Sequence, residues 1–158
     1  MSSAAVVSAV YDTILLATDG TVASEAAEAH AVELARALDA TLHVLYVVDE
    51  SVVTAYSGDE YVDEAEGPEH GLEEAGQDAL DAVEDAAGAE GVDVRTALRH
   101  GEPADAVVAY ADEVEADLLV LGTKRRPDEY RALLGSVTDR VLRLTTRPAT
   151  VVKTDVPA

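Results

Sequence analysis

Gly122 and Gly135 stand 13 residues apart, and Ser136 follows the second. The chemistry that suits this spacing is anion binding. Gly122 closes an apolar run, Asp117-Leu-Leu-Val-Leu-Gly122, and Gly135 precedes a segment with helical character, Ser136-Val-Thr-Asp-Arg-Val-Leu-Arg-Leu144. Glycine has no Cβ, so a phosphate can approach the backbone closely. The first N–H groups of a helix lack partners within it and carry the positive end of its dipole. Between the two glycines lies Lys124-Arg125-Arg126, where further glycines would be expected in a phosphate loop. The chain has only 11 basic residues, and seven fall between Lys124 and Arg147. Arg140, Arg143 and Arg147 fit a helix face that pairs with surface acids. Lys124, Arg125, Arg126 and Arg131 flank the expected anion site. Ser136 is a helix N-cap, a phosphate ligand, or both at once.

Other chemistries find less support. There is no G-x-x-x-x-G-K-[ST] loop and no G-x-G-x-x-G fingerprint. The absence of Cys excludes disulfides and thiolate chemistry. His30, His43, His70 and His100 share no metal-ligand spacing. His43 reads as a core or interface histidine, and His100 could approach a crevice from the end of a strand. The stretch 49–90 holds 15 carboxylates and no Lys or Arg, and reads as a solvated face rather than a metal site. No nucleophile stands with a base and an orienting group, so the chain does not read as an enzyme.

The elements that must position these residues alternate. Thr13-Ile-Leu-Leu-Ala-Thr18 is a nearly continuous apolar run, suited to a strand buried on both faces. Asp19-Gly20-Thr21 breaks it, and 23–38 shows helical spacing through Ala27, Ala31, Leu34 and Leu38. Thr41-Leu-His-Val-Leu-Tyr-Val-Val48 is a second strand, followed by a polar, acidic loop over 49–71 and a helix over 72–87. Val92-Asp-Val-Arg-Thr-Ala-Leu98 alternates like an edge strand. Pro103 suits the first position of a helix over 104–115. Strands at 117–121 and 149–153 enclose the helix that follows Gly135. Strands alternating with helices imply βαβ units. The expected fold is α/β: a single-domain, three-layer sandwich with a five-stranded parallel sheet of order 3-2-1-4-5 and helices on both faces. In such sheets ligands bind beyond the carboxyl ends of the strands, where strand order reverses. Asp19, Gly122 and Gly135-Ser136 meet there, a carboxylate facing phosphate donors. Asp19 is then a turn residue before Gly20, or a ligand contact.

At 158 residues the chain suits one domain, 1–158. Its net charge is −21, from 32 carboxylates against 11 Lys and Arg. So acidic a folded chain is expected to be adapted to multimolar salt, where self-repulsion is screened, and to lose stability on dilution. Nucleic acid is a poor partner for such a surface. Residues 1–10 lack the basic start of a signal peptide and read as a flexible tail. No stretch approaches the length of a membrane span, and a cytoplasmic location is expected.

Taken in order, the motifs resemble the universal stress protein family. They are Ile14-Leu-Leu-Ala-Thr-Asp-Gly20, Leu42-His-Val-Leu-Tyr-Val-Val-Asp49, Gly101-Glu-Pro103, Ala116-Asp-Leu-Leu-Val-Leu-Gly-Thr123, Leu133-Leu-Gly-Ser-Val-Thr-Asp-Arg-Val141 and Arg147-Pro-Ala-Thr-Val-Val-Lys153. The resemblance implies a homodimeric stress-response module holding ATP or a related adenine nucleotide, with or without Mg²⁺. ATP-binding members carry Gly, two residues, Gly, nine residues, Gly and Ser or Thr. Gly122, Gly135 and Ser136 match, but the middle glycine is Arg125 and a further one is Asp128. Arg125 therefore either obstructs phosphate or, with Lys124 or Arg126, replaces backbone donors by charged ones. The resemblance further implies that Asp19 contacts the ribose or adenine side and that Ala17 and Val47 line the adenine pocket. Gly122, Gly135, Ser136 and Val137 would face ribose and phosphates. It also implies dimerisation through the fifth strand, 149–153, the alternative being a monomer whose edge Lys153 and Pro157 blunt. A protein-interaction module with a lapsed nucleotide site is the main rival function, and a slow ATP hydrolase the weaker one.

Overall fold

The computed structural model describes residues 11–50, 68–125 and 135–155. Chain order runs β1 (Thr13–Ala17), α1 (Val22–Leu38), β2 (Thr41–Asp49), α2 (Pro68–Ala89), β3 (Val94–Gly101), α3 (Pro103–Glu113), β4 (Leu118–Arg125), α4 (Ser136–Leu144) and β5 (Ala149–Asp155). The five strands form one parallel sheet of order β3-β2-β1-β4-β5, as expected.

The apolar runs explain the layering. In β1, Ile14, Leu15 and Leu16 are all fully buried. Ile14 and Leu16 pack with Val44 and Val48 of β2 against Ala27 and Ala31 of α1 and Leu80 and Val83 of α2. Leu15 turns to the opposite face, joining Leu45 and Leu119 against Val107 and Tyr110 of α3 and Val141 of α4. A strand of period two covered by helices on both sides must be apolar at every position.

Local chemistry closes the helices. The Thr21 side chain caps α1 by accepting from the Ala23 N–H, and Asp39 ends the helix in the left-handed region at φ 54°. Pro103 takes the expected first position of α3, and the Glu102 side chain accepts from the Asp105 N–H at 2.7 Å. Asp117 Oδ2 accepts from the N–H groups of Asp12 and Thr13, tying the start of β1 to the approach to β4.

Several expected boundaries move. The acidic loop is shorter than 49–71, because Asp49 completes β2 and α2 begins at Pro68. The expected tail over 1–10 and the rest of that loop lie outside the described residues. Val92 is buried ahead of β3, not inside it. β4 runs on to Arg125, so Lys124 and Arg125 are strand residues opposite Thr154 and Asp155, not loop residues. The hydrogen bonds of β5, which pairs parallel to β4, carry the strand past the apolar run that marked it in sequence. Arg140, Arg143 and Arg147 pair with acids as expected, Arg140 with Glu102 and Asp105, Arg143 with Asp139 and Arg147 with Asp112, but Arg147 lies beyond the end of α4 and not on its face.

Candidate functional site

The sheet order reverses between β1 and β4, which continue into different crossovers. A cleft of about 280 Å³ opens there, at the carboxyl ends of the strands. Five residues expected at the site line it: Ala17, Asp19, Val47, Gly122 and Val137. Gly135 and Ser136 stand immediately before Val137, exposed at the start of α4. The side-chain roles expected of Lys124 and Arg125 lie outside the described residues, as do Arg126, Asp128 and Arg131.

Asp19 anchors one wall. Its Oδ1 accepts from the Thr21 N–H at 2.8 Å, the Thr21 hydroxyl at 2.6 Å and the Ser24 hydroxyl at 2.8 Å. The Asp19 N–H in turn donates to Ser24 Oγ at 3.1 Å. Burial alone would raise this carboxyl, but the bonds from Thr21 and Ser24 outweigh it and hold Asp19 below its ordinary value. None of these bonds uses Oδ2, so among the described residues that acceptor oxygen takes no hydrogen bond. The turn residue and the ligand contact weighed in the sequence are thus compatible: Oδ1 makes the turn, and no described residue bonds Oδ2.

The opposite wall is a stitched joint. The Gly135 N–H donates to Thr123 Oγ1 at 3.2 Å, and the Thr138 hydroxyl donates to the Gly122 carbonyl at 3.0 Å. Both threonines are buried, and they lock the end of β4 to the start of α4. The first backbone bond within α4 runs from the Asp139 N–H to the Gly135 carbonyl. The N–H groups of Ser136, Val137 and Thr138 therefore precede the ladder and form the helix's donor end. Gly135, not Ser136, is the N-cap, and among the described residues no side chain caps this helix. The expectation of Ser136 as cap is corrected by the helix beginning at Ser136 itself.

The two glycines play different parts. A Cβ on Gly122 would fall onto the Ala23 carbonyl oxygen of α1. Gly122 is therefore required first by the close packing of β4 on α1. At Gly135 no described atom lies within 4 Å of a Cβ, and φ is −59°, a backbone any residue adopts. Nothing among the described residues asks for glycine there, and a backbone without a Cβ is what an approaching anion needs.

Between the walls the lining is largely apolar, from Ala17, Val47, Val107, Pro103 and Leu121. Thr18, Ser24, Tyr46, Asp49 and Thr138 also line the cleft and were not singled out in the sequence. Thr123 and Thr138 carried a signal, as hydroxyl residues flanking the two glycines. Tyr46 carried none, because its place follows from a notch at Gly76, where a Cβ would come 2.5 Å from the ring. Burial and the Asp19 charge push the Tyr46 phenol up. His100 does not reach the cleft: its Nε2 lies 2.7 Å from Glu73 Oε1 of α2. His43 packs beside Tyr110 on the α3 face, ring centroids 6.2 Å apart, as a core-flanking histidine. Among the described residues no group of three or more His, Cys, Asp or Glu could hold a metal ion, and no helix is long and apolar enough to cross a membrane.

The sequence profile of the universal stress protein family matches residues 10–153. Universal stress protein MJ0531 of Methanocaldococcus jannaschii is 36% identical over 146 residues, spanning 90% of this chain and 82% of that protein. Universal stress protein YxiE of Bacillus subtilis is 33% identical over 152 residues, spanning 90% and 99%. Among solved structures, a universal stress protein in complex with cAMP superposes with a TM-score of 0.59 at 26% identity, covering 91% of this chain and 98% of that one. With its sheet order, its cleft and its matched length, the chain belongs to the universal stress protein family.

Proposed function

We propose that this protein is a regulatory module that binds an adenine nucleotide, ATP in the first instance, in the cleft at the switch point. The observation that carries the reading is the pairing of walls: Asp19, whose Oδ2 takes no bond from the described residues, lines a largely apolar cleft that Val137 of the first turn of α4 also lines. A flat base suits the apolar lining of Ala17, Val47 and Val107. A ribose hydroxyl is a donor for Asp19, and phosphates suit the N–H groups of Ser136 and Val137 beside Gly135. Mg²⁺ would arrive with the phosphates, since such ions are held largely by phosphate and water. A solved universal stress protein of this fold in complex with cAMP supports nucleotide binding in general. The protein acts without fast turnover, in the cytoplasm, as a homodimer through β5 (Ala149–Asp155), whose outer edge pairs with no described strand.

Calorimetry with ATP and Mg²⁺ in molar KCl tests the binding. Heat saturating at submillimolar ATP is expected, with no phosphate released over the same period. A folded protein that gives no heat would instead favour the second reading, an interaction module whose site has lapsed. That reading has its own observation, Arg125 where ATP-binding relatives carry glycine. Sedimentation equilibrium tests the dimer, and a monomer at micromolar concentration would overturn it.

A further inference from the structure

The Asp19 turn is held from behind by a residue that lines a different cavity. Thr18, 5% exposed, accepts the Gly20 N–H at 3.1 Å through the same hydroxyl that donates to Glu28 Oε2 at 2.6 Å. Thr18 lines the cleft. Glu28, a turn and a half into α1, lines a groove of about 500 Å³ between α1 and α2. We propose that Glu28 is the positioning residue of the cleft, fixing the Asp19 turn through the Thr18 hydroxyl. The inference rests on the cleft being the ligand site.

The argument begins with the proton inventory. A hydroxyl has one proton, and its rotation is otherwise free. The Glu28 carboxylate fixes that proton by a short, charge-assisted bond, and so turns an oxygen lone pair toward Gly20. Gly20 sits at φ +72°, where a side chain would be strained, and its N–H follows directly on Asp19. Without the carboxylate a buried hydroxyl must turn to another acceptor, and the Gly20 N–H loses its partner.

Stability alone does not account for a carboxylate here. Burial pushes Glu28 up, Thr18 opposes, and the charges of Asp19 and Glu25 push it up again. The groove adds Glu33 and Arg36 from α1 and Glu90 just past the end of α2, and Arg36 is already paired with Glu90 at 3.6 Å. A neutral acceptor would satisfy Thr18 with less repulsion. What the Thr18 hydroxyl requires of position 28 is therefore an acceptor oxygen at this distance rather than the charge itself.

The test compares Glu28→Ala, Glu28→Gln and Thr18→Val by amide hydrogen exchange of Gly20, with Leu16 of β1 as the internal control for folding. Glu28→Ala and Thr18→Val are each expected to speed Gly20 exchange about fivefold or more. The double variant should do no more than either single one, because both remove one linkage. Glu28→Gln keeps an acceptor oxygen and should stay within about twofold. ATP affinity in molar KCl should fall by a similar factor in the first two variants and hold in the third. Unchanged Gly20 exchange, with Leu16 still protected, would overturn the inference. So would faster exchange at undiminished ATP affinity. If the native protein binds no ATP, the nucleotide reading fails by itself, and Gly20 exchange alone decides whether Glu28 holds the turn.

Discussion

At Gly122 the missing Cβ lets β4 lie against the Ala23 carbonyl, whereas at Gly135 a Cβ would meet no described atom within 4 Å. Substitution separates these roles. Gly122→Ala should destabilise by about 1–3 kcal/mol, the usual range for forcing atoms into a packed contact. Gly135→Ala should cost under about 1 kcal/mol, the difference between poor and moderate N-caps, yet weaken ATP binding more than it weakens the fold. Denaturant midpoints and calorimetry on both variants check the contrast. Asp19 makes a pH prediction of definite sign. Its folded value lies below the ordinary 3.8, so its contribution to stability is fully present above that pH. The contribution is lost as pH falls below 3.8 and through the lower folded value. The stability gap between native protein and Asp19→Ala should therefore be constant from pH 5 to 7 and close in stronger acid. The Asp19 triad of donors was legible only in part: Thr21 follows as a neighbour in the turn, but Ser24 reaches back only because α1 starts where it does.

Among the elements, α2 shows how one residue type takes opposite signs. Gly76 faces the Tyr46 ring with no room for a Cβ, and Gly88 meets nothing within 4 Å. Gly76→Ala should destabilise by about 1–3 kcal/mol despite the better helix propensity of Ala. Gly88→Ala should stabilise by about 0.5–1 kcal/mol, because no contact offsets the propensity gain. Thermal unfolding of the pair decides it, and equal shifts would show that the Tyr46 notch is not filled. Helical periodicity identified α2, but not which glycine faces a ring across the layer. The same holds for β4. Its apolar run ends at Gly122, so the sequence places Lys124 and Arg125 in a loop, while pairing with β5 extends the strand through both. A partner strand supplies hydrogen bonds that no local pattern records.

Over the whole molecule the charge of −21 dominates. Its ion pairs are mostly exposed, as in Arg143 with Asp139 and Arg99 with Glu113, and such pairs contribute about 0–1 kcal/mol each. They leave most carboxylates uncompensated. The thermal midpoint should therefore fall as KCl drops from molar to tens of millimolar, where the screening length grows from about 3 Å to over 10 Å. A flat midpoint across that range would sink the idea of adaptation to high salt. The fold class, the strand order and the place of the cleft could be read before any coordinates, because apolar periodicity and right-handed βαβ connections leave few arrangements. Asp19, Gly122 and Gly135-Ser136 were legible for the same reason, lying at element ends that this topology must bring together. What only the tertiary structure decided is which atoms are already engaged. Thr123 and Thr138 stitch β4 to α4, Gly122 serves helix packing, Asp19 Oδ1 is taken by its own turn, and Glu28 reaches Thr18 across the end of the sheet. Apart from the Thr21 bonds within the turn, those pairings depend on distances between separate elements, and a pattern along one chain does not carry them.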